Sequence, residues 1–201
     1  MREDQAGPDF GAEAGPGRLG QVIRLHPRTR QRHLDWLTWG LLPSETENPD
    51  SAPRPIHARA ETVAVVPLFA EAFRHRRAIV PATEYYQQRT IGRPVQRYAI
   101  SRRDGQPLAI AGLWEAFRRP DGEIVRTYCI ITTEATGTVA EIHDRMPLVL
   151  DEPDWPVWLG EEPGDPTTLL HPAAGDKLVL RPMHGRRSPA LPADRRKAAR
   201  V

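Results

Sequence analysis

The strongest constraint on this chain is a pair of Asp-Gly dipeptides, each set between apolar runs. Asp104-Gly105 separates Tyr98-Ala-Ile100 from Leu108-Ala-Ile-Ala-Gly-Leu-Trp114, and Asp121-Gly122 separates Leu113-Trp-Glu-Ala-Phe117 from Val125-Arg-Thr-Tyr-Cys-Ile-Ile-Thr-Thr133. Asp and Gly tolerate the positive φ of tight hairpin turns, so both sites read as hairpins joining three successive antiparallel strands. Upstream, Val22, Ile23 and Leu25 predict another strand. Leu34 to Leu42 carries Trp36 and Trp39 and stops at Pro43. Between Pro67 and Arg77 the residues Leu68, Phe69, Ala72 and Phe73 recur at helical spacing, with the proline suited to a first turn. Ala78-Ile-Val-Pro81 then reads as a short strand, and 136–142 and 154–159 as short helices. The fold class that follows is α+β: a curved, mostly antiparallel sheet with a barrel-like core and a few short helices against it.

A length of 201 residues suits a single domain. Residues 1–20, rich in Gly, Ala and acidic groups, read as a loose lead-in, residues 15–184 as the domain, and 185–201 as a basic, proline-broken, disordered tail. With 39% hydrophobic and 27% charged residues, disorder of the whole chain is excluded. No apolar run approaches the ~18 residues of a membrane span, and no signal peptide is visible. The one thiol, Cys129, forbids an internal disulfide and fits a reducing cytoplasm, the expected location. Lys177 and Lys197 are the only lysines, which leaves 26 of the 28 basic residues as arginine. Arginine grips phosphate oxygens in pairs, but codon bias accounts for most of this count, so charge alone is weak evidence for nucleic acid.

Three segments place polar groups inside apolar surroundings: Trp39-Gly-Leu-Leu-Pro43, His57-Ala-Arg-Ala-Glu-Thr62 and Ile142-His-Asp-Arg-Met-Pro147. Taken singly each has a bland reading, with His57 or His143 a structural histidine, Arg59–Glu61 a salt bridge and Asp144 a turn former. Together, and with Phe73-Arg-His-Arg-Arg-Ala-Ile-Val-Pro-Ala82, Leu108–Glu115 and Ile130-Ile-Thr-Thr-Glu-Ala135, they resemble the SOS-response-associated peptidase (SRAP) family from about Gly15 to Leu159.

The resemblance implies a sensor of abasic sites in single-stranded DNA. In such proteins a cysteine after the initiator methionine captures the ring-opened sugar aldehyde as a thiazolidine, helped by an asparagine, a glutamate and a histidine. On this sequence the catalytic positions fall on His57, Gln87 and His143. The positions that hold flanking phosphates or bases fall on Arg59, Arg145, Thr132, Trp39 and Pro43, with Arg76 and Arg77 extending the basic path. Residue 2 is Arg2, the asparagine position is His57 and the glutamate position is Gln87, so only His143 of the four central groups is kept. Glutamine keeps the shape of glutamate but moves no proton. Cys129, inside a predicted core strand, reads as inert.

The expectation is therefore a protein that binds single-stranded or abasic DNA in the damage response, with its crosslinking and self-cleaving chemistry impaired. Two alternatives stand beside it: a lyase working through an imine on the N-terminal amine, and a phage-related scaffold that keeps only the fold. No cofactor and no metal are expected, because no glycine-rich phosphate loop and no Cys/His cluster exist. His171 and His184 read as surface residues.

Overall fold

A computed structural model describes residues 13–89 and 96–183. The expectations for Arg2, His184, residues 1–12 of the lead-in and the basic tail lie outside the described residues. Ten strands and three short helices follow one another in the order β1 (Leu19–Leu25), β2 (Arg32–Trp39), β3 (His57–Arg59), α1 (Pro67–His75), β4 (Arg77–Ala82), β5 (Tyr85–Gln88), β6 (Arg97–Arg102), β7 (Leu108–Arg118), β8 (Ile124–Glu134), α2 (Gly137–Ala140), β9 (Arg145–Pro147), α3 (Trp155–Leu159) and β10 (Leu178–Pro182). The fold is mixed α+β.

Strands β2, β1, β4, β7 and β8 pair in that order, and β2 closes back on β8 at Thr38↔Thr127 and Trp39↔Tyr128, making a five-stranded barrel. Alternation along each strand fills it. Val22, Leu37, Ala78, Val80, Ile110, Tyr128 and Ile130 share one buried cluster inside. Residues of opposite parity, among them Ile79, Ala111, Leu113, Cys129 and Ile131, form a second cluster outside, beneath Phe69, Ala72 and Phe73 of α1 and Trp158 of α3. Gly20 is required where it stands: a Cβ there would lie 2.2 Å from the Tyr128 hydroxyl that crosses the interior. Cys129 is fully buried and its thiol is pushed up to about 12 by desolvation, which makes it a core residue.

Of the two expected hairpins, one forms. Asp121-Gly122 joins β7 to β8, with Arg119 N–H donating to Glu123 O at 2.8 Å. Asp104-Gly105 also turns the chain, Gly105 having φ +73°, but it joins no hairpin. Strand β6 lies in a separate three-stranded sheet, β10-β6-β5, whose partner β10 comes some eighty residues later. A local turn signal fixes a reversal of direction and cannot say which sheet accepts the next strand.

Candidate functional site

Strand β8 is longer than the barrel it helps to close. Its first half pairs with β2. Beyond Trp39↔Tyr128 the role of parallel neighbour passes to β3, in the register His57↔Ile130, Ala58↔Ile131, Arg59↔Thr132. On this stretch β9 pairs antiparallel, with Thr132↔Pro147 and Glu134↔Arg145. Strand parity then sorts the side chains. Ala58 is buried, while His57 and Arg59 point the other way and are exposed. Trp39, Tyr128, Thr132 and Arg145 share that face, so the barrel interior opens at this end onto a polar surface.

Within it, Trp39 stacks on Tyr128 (centroids 5.9 Å apart, planes 15° apart) and meets the edge of the His57 ring at 6.2 Å. Its indole Nε1 donates to Ile56 O at 2.9 Å, which fixes the ring. His57 has its pKa lowered from the ordinary histidine value, first by desolvation and then by the charge of His143. The two imidazoles are therefore close enough to couple. His143 is oriented by its own turn: its Nδ1 lies 2.9 Å from Arg145 N and 3.1 Å from Arg145 O. The Asp144 carboxylate lies 3.0 Å from the same Nδ1.

The two arginines differ sharply. Arg145 forks onto Glu61 (2.8 and 3.0 Å) and donates to Thr132 O at 2.6 Å and Thr132 Oγ1 at 3.2 Å. The guanidinium holds the Glu61 carboxyl below its usual range. Thr132 is buried, and its hydroxyl also leans on Ala58 O at 3.4 Å. Arg145 and Thr132 thus bolt β3, β8 and β9 together. Among the described residues no carboxylate pairs with Arg59, so the Arg59–Glu61 bridge read from sequence is replaced by Arg145–Glu61.

Other expected site residues are distributed unevenly. Gln87 lies in β5, opposite Tyr98 and on the same face as Tyr85, which packs against the cluster containing Ile130 and Ile142. Pro43 is half-buried, but Leu41 and Leu42 between it and Trp39 are buried, with Leu42 N–H donating to Thr127 Oγ1 at 2.8 Å. Only Trp39 and Pro43 of that wedge retain surface. Arg77 is corrected outright. It donates to the carbonyls of Phe73 and Arg74 at 2.7 and 2.8 Å and to Trp158 O, closing the end of α1, and burial lowers its pKa. Arg76 pairs with the buried Glu115 at 2.9 Å. Glu61, read in sequence only as a neighbour of Arg59, is the site residue that sequence reasoning misplaced. Its presence two positions after Arg59 was visible, its partner was not.

The SOS response associated peptidase (SRAP) family model matches residues 2–186. The chain belongs to this family. It is 32% identical over 149 residues to the Bacillus subtilis protein YoqW, named an abasic site processing protein, a match covering 72% of this chain and 66% of that one. Escherichia coli YedK, named likewise, is 33% identical over 143 residues, covering 71% of this chain and 62% of its own. The chain thus spans slightly under two thirds of these relatives' length. A solved structure from Bordetella bronchiseptica superposes with a TM-score of 0.73 at 26% identity, covering 86% of this chain and 89% of that one. No helix among the described residues is long and apolar enough to cross a membrane, and no group of three or more His, Cys, Asp or Glu is placed to hold a metal ion.

Proposed function

We propose that this SRAP-family chain binds single-stranded DNA, abasic strands included, on the face at the barrel mouth, and does so without a stable thiol crosslink. One observation carries the reading: Arg59 presents a guanidinium with no carboxylate partner among the described residues, on the same face of β3 as His57, whose ring meets the fixed Trp39. A cation and an anchored aromatic on one face suit a flexible strand, with phosphate on the one and a base on the other. The names of the relatives, abasic site processing proteins, favour the same substrate class. Arg145 and Thr132 shape the surface, and Arg59, Trp39, Pro43 and His57 meet the strand. Capture as a thiazolidine requires an accessible thiol, and the chain's single cysteine is sealed in the core.

Fluorescence anisotropy with a labelled unpaired oligonucleotide tests this. Binding is expected to weaken with salt, and Arg59→Ala to weaken it roughly tenfold, the size of a lost charge-assisted phosphate contact. Absence of binding at low salt removes the proposal. With an abasic strand, a denaturing gel should show free DNA and free protein. A heat-stable adduct contradicts the non-covalent part, and an adduct seen only after borohydride reduction favours an imine lyase instead.

A further inference from the structure

One groove outside the Arg59 face remains without a role, and it adjoins that face. It runs between α2 and the sheet formed by β10, β6 and β5, with a volume of about 330 Å³, the low end for a small-ligand site. Buried Ile142 and Leu178 form its base, Tyr98 and Leu180 are half-buried in it, and Arg103 and Glu141 are exposed at its edge. Arg89 lies over the Tyr98 ring, its guanidinium carbon 5.7 Å from the centroid. The Arg89 Nε is buried and has no hydrogen-bond partner among the described residues. Among the described residues the Arg103 guanidinium donates only from Nε, to Asp176 O at 2.8 Å.

We infer that this groove takes one nucleotide of the bound strand, its base against Tyr98 and the aliphatic base and its phosphate between Arg89 and Arg103. Three observations point to that ligand. An aromatic ring beside an apolar base is a stacking platform, and an arginine already over the ring adds to it. Two guanidinium groups against one carboxylate leave the groove net positive. Its position is next to the mouth: Ile142 in its lining precedes His143 in the chain and shares a buried cluster with Tyr128 and Ile130, against which Trp39 packs. The size admits one nucleotide and excludes a duplex.

The inference rests on the single-strand reading, and the experiment separates the two. The full chain is titrated with a labelled oligothymidylate long enough to pass both faces and with a short one confined to the Arg59 face. The double variant Arg89→Ala, Arg103→Ala should lose roughly tenfold for the long strand and little for the short one. Its slope of log affinity against log salt should fall by about 0.7 for the one phosphate no longer neutralised. Arg59→Ala should weaken both. If the wild type binds neither strand, both readings fail. If it binds and the double variant behaves like wild type at both lengths, the groove inference alone fails. A second measurement needs no variant: dTMP added to the unmodified protein should shift the backbone amide resonances of Thr138, Leu178 and Leu180, whereas inorganic phosphate should leave them in place. Shifts confined to the Arg59 face overturn the inference.

Discussion

The two ends of the barrel make opposite use of the same side-chain types. At the closed end Arg24, on the same strand face as the interior residue Val22, is buried, donates to Asp35 from Nε at 3.0 Å and from the guanidinium terminus, and lies 4.2 Å over the Trp114 ring. His33 Nε2 approaches the same carboxylate at 3.4 Å. At the mouth, Arg145 has an equivalent carboxylate in Glu61, but Arg59 has none among the described residues. A guanidinium whose anion is supplied by the fold is a structural part; one left without an anion is available to a ligand that brings its own. The difference lies in pairing, since both ends are rich in arginine.

The sharpest way to break that contrast is Arg24→Ala. It leaves the Asp35 carboxylate facing the barrel interior without its principal partner, and breaking a buried pair costs about 3–5 kcal/mol. With Asp35 about a third exposed, the lower end applies. Urea unfolding should show a loss of about 3 kcal/mol while DNA affinity per folded molecule stays unchanged. An affinity loss matching Arg59→Ala would mean the closed end also serves the ligand. The sign with pH is fixed by Asp35. Burial pushes its pKa up, but the hydrogen bond and charge of Arg24, joined by His33, outweigh this and leave it lowered. The contribution is present above the unfolded carboxylate value near 4 and is lost as pH falls through the folded value.

Arg145→Ala should have the next largest effect, on stability before affinity. It removes a forked ion pair and two hydrogen bonds to Thr132 that join three strands, a loss of about 2 kcal/mol for charge-assisted bonds at a partly exposed site. Thermal unfolding with and without oligonucleotide distinguishes this clamp from a phosphate ligand. A clamp lowers the midpoint of the free protein, and a ligand lowers only the shift caused by DNA.

What the sequence made legible, and what it hid, follows the same division between near and far partners. The β7–β8 hairpin at Asp121-Gly122 is readable because a tight turn is local. Cys129 reads as core for the same reason, sitting in an unbroken apolar run. Arg77 was misread because one of its carbonyl acceptors belongs to Trp158, eighty-one positions away. The assignment of β6 failed because β10 competes for it from the far end of the domain. Glu61 was assigned to the nearer arginine, although the Arg59 side chain leaves β3 on the exposed face and the turn after Ala60 carries Glu61 to Arg145. The identity of each ion pair required the fold.

The smallest expected effect bears on the histidine pair. The His57 ring is desolvated beside His143, which holds its pKa below the ordinary value. A lowered histidine pKa means that the unfolded chain takes up protons at a higher pH than the folded one. Stability therefore falls as pH drops below about 6.5, the unfolded histidine value. A bound phosphate reverses part of this by favouring the imidazolium, so DNA affinity should rise modestly over the same range. His57→Asn removes the titrating group while keeping a side-chain hydrogen-bond donor and acceptor. Relative to wild type, the variant should show a flatter stability profile between pH 7 and pH 5 and lose the acid-side gain in anisotropy-measured affinity. A gain that persists in His57→Asn would show that His57 is not the group responsible.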